Sequence, residues 1–110
     1  MTIPLPPKTC TIDRLVTRPE DVTKMLAGEK TAQRRNGRYA DIGETWELAG
    51  KTFCVDAVYA QPLGEITDDQ AEAEGYASLD DYREAILAMH AGMPWIPQAR
   101  VWVHEFRRLP

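Results

Sequence analysis

Gly28-Glu29-Lys30-Thr31-Ala32-Gln33-Arg34-Arg35 is the stretch on which the reading of this chain turns. It follows Val22, Met25 and Leu26, whose i, i+3, i+4 spacing marks one face of a helix. Thr17-Arg18-Pro19-Glu20 supplies the start signal: Thr17 as the cap, a proline in the first turn, an acid three residues after the cap. Gly28 supplies the stop, because glycine enters the left-handed region without a Cβ clash. From Thr31 to Arg35 the chain is expected to extend as a strand. Alternation then puts Thr31, Gln33 and Arg35 on one face and Ala32 and Arg34 on the other. Lys30 stands just past the helix C-terminus, where unpaired carbonyls favour a cation. An amine held there can accept a proton or face a developing oxyanion. A solvated lysine beside surface arginines is the alternative that spacing leaves open.

Outward from this stretch, the N-terminal side reads as an extended arm over residues 1–8, rich in proline, and one domain over 9–110. Thr9–Asp13 is β-branched and is expected to be a strand. On the C-terminal side, Asp41-Ile42-Gly43 marks a turn. Glu44–Leu48 and Thr52–Ala60 are expected to pair around a hairpin at Ala49-Gly50. Thr67-Asp68-Asp69-Gln70 is a capping-box pattern opening a short helix that stops at Gly75. Ser78 opens a third helix with Leu79, Tyr82, Ile86 and Met89 on its apolar face, closed by Gly92 and Pro94. Val101–Phe106 is the last strand. The predicted order, β-α-β-β-β-α-α-β, does not suit a regular alternating parallel sheet. It suits an α+β domain built on a small, partly open β-barrel with about three helices, and a cleft at one mouth.

The 110 residues fit one domain, and 44% hydrophobic content is enough for a core. No apolar run reaches the length of a membrane span, and the N-terminus lacks the basic and apolar regions of a secretory signal. Two cysteines, Cys10 and Cys54, make no disulfide framework, so a reducing cytoplasm is expected. Thirteen Lys and Arg against 17 Asp and Glu give a net charge of −4, which argues against a wholly basic nucleic-acid coat. The charge is unevenly placed. Lys30, Arg34, Arg35 and Arg38 fall within nine residues that hold no acid, whereas eight acids lie between Glu65 and Glu84 against Arg83 alone. A local basic face able to attract an anion is therefore expected on an acidic protein.

Gly28, Lys30 and Arg35 (or Arg34, by a shift of one) resemble the G-x-K-x-x-x-x-R signature of the ASCH domain, a family with a PUA-like β-barrel. Asp41-Ile42-Gly43-Glu44 is similar to the family's turn into the next strand. Residues 66–82, ITDDQAEAEGYASLDDY, resemble its acidic two-helix segment, and residues 101–109, VWVHEFRRL, its closing strand. The resemblance implies a barrel of five or six strands and an RNA-related role. Small stand-alone ASCH proteins include an amidohydrolase that removes acetyl from N4-acetylcytidine, and a ribonuclease occurs in the wider family. The amidohydrolase site is similar to a Lys-Thr-Glu set. Its lysine falls on Lys30, its glutamate on Glu74, and its threonine on Gln33.

Gln33 is a departure from that set, because an amide cannot attack or relay a proton as a hydroxyl can. Thr31 is the nearest hydroxyl that could stand in. Otherwise Gln33 would only donate to a substrate carbonyl, with Glu74 activating water and Lys30 facing the oxyanion. Three functions follow as expectations: hydrolysis of an N4-acyl group from cytidine, metal-assisted cleavage of single-stranded RNA gripped by Lys30, Arg34 and Arg35, or RNA binding without catalysis. The expected partner is RNA or a modified pyrimidine nucleoside, with no obligate protein partner. No HxxxH or CxxC pattern marks a metal site; Mg²⁺ or Mn²⁺ on carboxylates would accompany only the ribonuclease reading. Among aromatics, Trp95, between Pro94 and Pro97, is the best candidate for a pocket rim. His104 shares a strand face with Phe106 and is expected either in the pocket or in the packing.

Overall fold

A computed structural model of the chain describes residues 7–90, 92 and 94–110. Its strands are β1 (Ala32–Arg35), β2 (Thr45–Leu48), β3 (Lys51–Pro62) and β4 (Arg100–Arg108). Its helices are α1 (Pro19–Leu26), α2 (Asp68–Ala73) and α3 (Leu79–Met89). The strands are all antiparallel and lie in the order β1-β4-β3-β2, so the last strand inserts between the first and third. The sheet curls into a half-barrel, an α+β fold with three helices. Among the described residues no helix is long and apolar enough to cross a membrane.

Local chemistry accounts for most boundaries. Ala49 and Gly50 both take positive φ, 53° and 79°, as a two-residue turn that matches the twist of β2 and β3 requires. Thr67 Oγ1 accepts from Gln70 N at 3.2 Å while Gln70 Oε1 accepts from Thr67 N at 3.0 Å, the reciprocal box expected at the start of α2. Ser78 Oγ caps α3 by accepting from Asp81 N. A register shift between Val55 and Ala57 bends the twelve-residue β3 and helps the sheet to curl.

Two expectations near the N-terminus are corrected. Thr9–Asp13 is not a strand: Ile12–Arg14 forms a 3₁₀ turn, with Arg14 N bonded to Thr11 O and Leu15 N to Ile12 O. The Thr11 hydroxyl also bonds the Asp13 carboxyl and holds it below its ordinary pKa, a local bond that competes with strand pairing. The barrel accordingly has four strands among the described residues rather than five or six. The cap of α1 is Arg18, not Thr17, and no side chain caps it. A residue before proline is pushed out of the helical region, and Arg18 (ψ 133°) marks the boundary. Of the predicted arm, residues 1–6 lie outside the described residues; Lys8 pairs with Glu44 at 3.2 Å.

Because strand side chains alternate, the register divides the sheet into two faces. Gln33, Val58, His104 and Phe106 share one with the larger apolar core of Leu15, Val16, Met25, Trp46, Phe53 and Val55. Ala32, Arg34, Tyr59, Gln61, Val103 and Glu105 share the other, which faces α2. Beside it, Ile66, Ala71 and Tyr82 form a smaller apolar cluster under α2 and α3.

Candidate functional site

Two helix ends meet at the start of β1. Gly28 (φ 79°) turns the chain out of α1, and Glu29 N and Lys30 N both bond back to Lys24 O. Glu74 is the C-cap residue of α2, and Gly75 (φ 97°) turns the chain away. That left-handed backbone favours glycine, and a Cβ there would lie 2.8 Å from Lys24 Cδ and displace that side chain. Thr31 N donates to Ala73 O at 2.7 Å and Lys24 Nζ to Gly75 O at 2.7 Å. These bonds seat the start of β1 against the end of α2.

The Lys30 ammonium and the Glu74 carboxylate are thereby brought together, both 2% exposed. Lys30 Nζ donates to Glu74 O at 2.9 Å and to Glu74 Oε1 at 3.3 Å. Arg34 Nη1 donates to Glu74 Oε2 at 2.9 Å. Arg34 also donates from Nε and Nη2 to Gln61 Oε1, and Gln61 Nε2 donates to Gln70 Oε1 at 2.9 Å. A buried chain of polar groups therefore runs from Lys30 through Glu74, Arg34 and Gln61 to the cap of α2. It holds two cations against one carboxylate. Burial pushes the Glu74 carboxyl above its ordinary pKa, and Lys30 and Arg34 oppose that shift without cancelling it.

Over this network lies a cleft of about 220 Å³ lined by Thr31, Ala32, Arg34, Tyr59, Asp69, Gln70, Ala73, Val103 and Glu105. Tyr59 donates its hydroxyl to Glu105 Oε2 at 2.5 Å. Burial, then the Glu105 hydrogen bond and charge, push the phenol up to about 12, so it remains a donor. A second cleft of about 270 Å³ lies between the end of α1 and the sheet, lined in part by Gly28, Lys30, Phe53, Phe106 and Arg108. Thr31, exposed, lines both.

The remaining sequence candidates lie elsewhere. Gln33 is on the face opposite Arg34, as strand alternation demands, so it cannot join Lys30 at an oxyanion. Its Nε2 donates to Arg34 O, and its buried Oε1 has no hydrogen-bond partner among the described residues. His104 is wholly buried on that face. Its Nε2 accepts from Tyr39 N at 3.0 Å, which leaves the proton on Nδ1, 3.2 Å from Gln33 O. Burial lowers its pKa, and it is a packing residue rather than part of a pocket. Arg35 donates to the carbonyls of Arg14 and Leu15, and Arg38 to Asp41 and Ala40 O. Trp95 lines neither cleft; it packs edge-on to Tyr82 beneath the Arg83 guanidinium. Among the described residues no three His, Cys, Asp or Glu side chains are grouped to hold a metal.

Sequence reasoning singled out none of Gln61, Glu105 and Tyr59. The usable signal was alternation along β3, but the predicted strand stopped at Ala60, two residues short of its end at Pro62.

No family model and no curated protein matches the chain. Among solved structures, an ASCH domain from Lactobacillus crispatus JV V101 matches with a TM-score of 0.66 at 16% identity, over 81% of this chain and 70% of that one. The chain has the fold of an ASCH domain. A protein from Enterococcus faecalis V583 matches with a TM-score of 0.59 at 19% identity, over 80% of this chain and 66% of that one. At these identities the likeness carries architecture, and residue roles within the ASCH fold have to come from the chemistry of the cleft.

Proposed function

We propose that this chain binds RNA or a modified pyrimidine nucleoside in the cleft between the sheet and α2, and that the reaction it performs there is hydrolysis of an N4-acyl group from cytidine. One observation carries the reading: a carboxylate with raised basicity is held between two cations, one of which, Arg34, lines the cleft. Amide hydrolysis calls for that combination. Glu74 would take a proton from water, whose oxygen attacks the acyl carbon. Arg34, backed by Lys30, would hold the charge on the tetrahedral oxygen. The C–N4 bond then breaks, Glu74 returns the proton to the leaving nitrogen, and cytidine and acetate result. Thr31 and Tyr59 are the hydroxyls that line the cleft, and they take the place that the motif assigns to Gln33.

A second reading is an RNA-binding module without catalysis. Both Glu74 carboxylate oxygens already accept hydrogen bonds from cations, and Lys30 Nζ caps the C-terminal end of α2 through Glu74 O. Such a network can act as a scaffold alone. Metal-assisted cleavage has less support, because Arg35 is tied to the carbonyls of Arg14 and Leu15 and is not beside Lys30 and Arg34.

The experiment is incubation with N4-acetylcytidine followed by chromatography for cytidine. Release of cytidine that Lys30→Ala and Glu74→Gln abolish is the expected result. Full activity in Lys30→Ala would remove this site. Absence of product together with salt-dependent RNA binding would select the module.

A further inference from the structure

We infer that the two clefts on either side of Thr31 form one bipartite site for an RNA strand, with a base on the Arg34 side and the neighbouring phosphate on Arg107 and Arg108. The inference rests on the reading just given and adds to it the form of the ligand. Size argues first. The clefts hold about 220 and 270 Å³, and each falls short of the roughly 300 Å³ at which small-molecule pockets begin. The first cleft lies on the front face and the second reaches Phe53 and Phe106 on the rear, with the exposed Thr31 common to both, so a ligand long enough to pass round Thr31 can reach both.

Chemistry argues next. The second cleft has a floor of Met25, Phe53 and Phe106, whose surface is almost wholly taken up by the core. Its rim carries Arg107 and Arg108, both exposed. Arg108 makes no ion pair among the described residues. Arg107 makes one, with Asp56 at 3.0 Å, and both partners are about half exposed. Such a surface pair is worth little, so a phosphate can compete for the guanidinium. The end of α1 does not repel an anion strongly, since the carbonyls of Thr23, Lys24 and Met25 already accept backbone N–H groups. On a chain of net charge −4 whose acids cluster between residues 65 and 84, this rim is a local cationic exception.

The test compares wild type, Arg107→Glu/Arg108→Glu and the charge-keeping Arg107→Lys/Arg108→Lys, using fluorescence anisotropy with a short labelled single-stranded RNA across a salt series. Binding of free N4-acetylcytidine to wild type reports on the parent reading. The charge reversal is expected to weaken RNA binding at least ~10-fold and to shrink the salt slope by about 0.7 for each phosphate that is no longer neutralised; the lysine variant should keep most of the slope. Unchanged RNA affinity and slope in the charge reversal overturn the inference, and nucleoside binding to wild type then leaves the parent reading intact. A wild type that binds neither RNA nor nucleoside overturns both.

Discussion

The two faces of the sheet bury polar groups in opposite ways. Behind β1, His104 is enclosed by an apolar core, stays neutral, and has both ring nitrogens matched to backbone groups, Tyr39 N and Gln33 O. In front, Lys30, Arg34 and Glu74 are equally enclosed but charged, and Gln61 and Gln70 satisfy them further. The front network is fully paired, as buried polar groups require, whereas the rear face leaves Gln33 Oε1 and Trp46 Nε1 without partners among the described residues. Only the front buries a carboxylate between two cations, and only the front lies under a cleft lined by a further carboxylate and a phenol. A core that needs only stability has no use for such an arrangement. Well-packed apolar residues would serve as well or better, because desolvating ions costs several kcal/mol each in effective terms.

The largest effect expected follows from that contrast. Glu74→Gln removes the counter-charge and leaves two buried cations facing each other. It should destabilise the fold by about 3–5 kcal/mol, measured as a shift in urea midpoint at constant slope. Replacing all three charges together, as Lys30→Met, Arg34→Met and Glu74→Leu, should recover most of that loss while abolishing ligand binding. If the triple variant is less stable than Glu74→Gln alone, the network is there for stability, and the contrast between the faces fails.

Titration separates the faces next. The His104 pKa is depressed below 6.5 in the folded state, so the unfolded chain takes up the proton first as pH falls. Its contribution is complete above 6.5 and is lost as pH drops through the folded value, at a slope of up to about 1.4 kcal/mol per pH unit. Glu74 runs the other way. Its folded pKa lies above 4.5, so the folded state holds the proton longer and stability falls as pH rises through that window. His104→Gln keeps an acceptor for Tyr39 N and a donor for Gln33 O but cannot titrate. Denaturation on either side of 6.5 should show a pH slope in wild type that is missing in the variant. An identical slope in both would mean that His104 is not the acid-sensitive group of the rear face.

Much of this contrast was legible in the sequence. Periodicity and punctuation located the helices, the Ala49-Gly50 hairpin and the closing strand, because each depends on chemistry within a few residues. The meeting of Lys30 and Glu74 was legible through resemblance alone, since 44 residues separate them and no local rule joins them. Arg34 could be assigned to the face opposite Gln33 by alternation, but not to Glu74, because that ion pair needs α2 to cross the front of the sheet. Gln61 escaped for a different reason: a strand end predicted two residues short hid the one amide that ties β3 to the network. Thr9–Asp13 failed because β-branched residues favour a strand only where a partner strand exists, and local bonds around Thr11 formed instead.

The smallest effect tests how far the front face depends on a single hydroxyl. Thr67 caps α2, and the reciprocal member of its box, Gln70, also accepts from Gln61, which in turn holds Arg34. Helix α2 has six residues, too few to be stable on propensity alone, so cap and network support each other. Thr67→Ala should lower global stability by about 1 kcal/mol. Amide hydrogen exchange should accelerate at Ala71, Glu74 and Thr31, the last because its N–H bonds to Ala73 O. Exchange at Phe106, whose N–H bonds to Thr31 O, reports whether loosening passes through Thr31 into the sheet. Protection at Phe106 should hold while protection at Thr31 falls, because β4 is paired on both sides by β1 and β3. Equal acceleration at both would show that the two faces open as one unit, and that their division is chemical only, with no separate mechanical response.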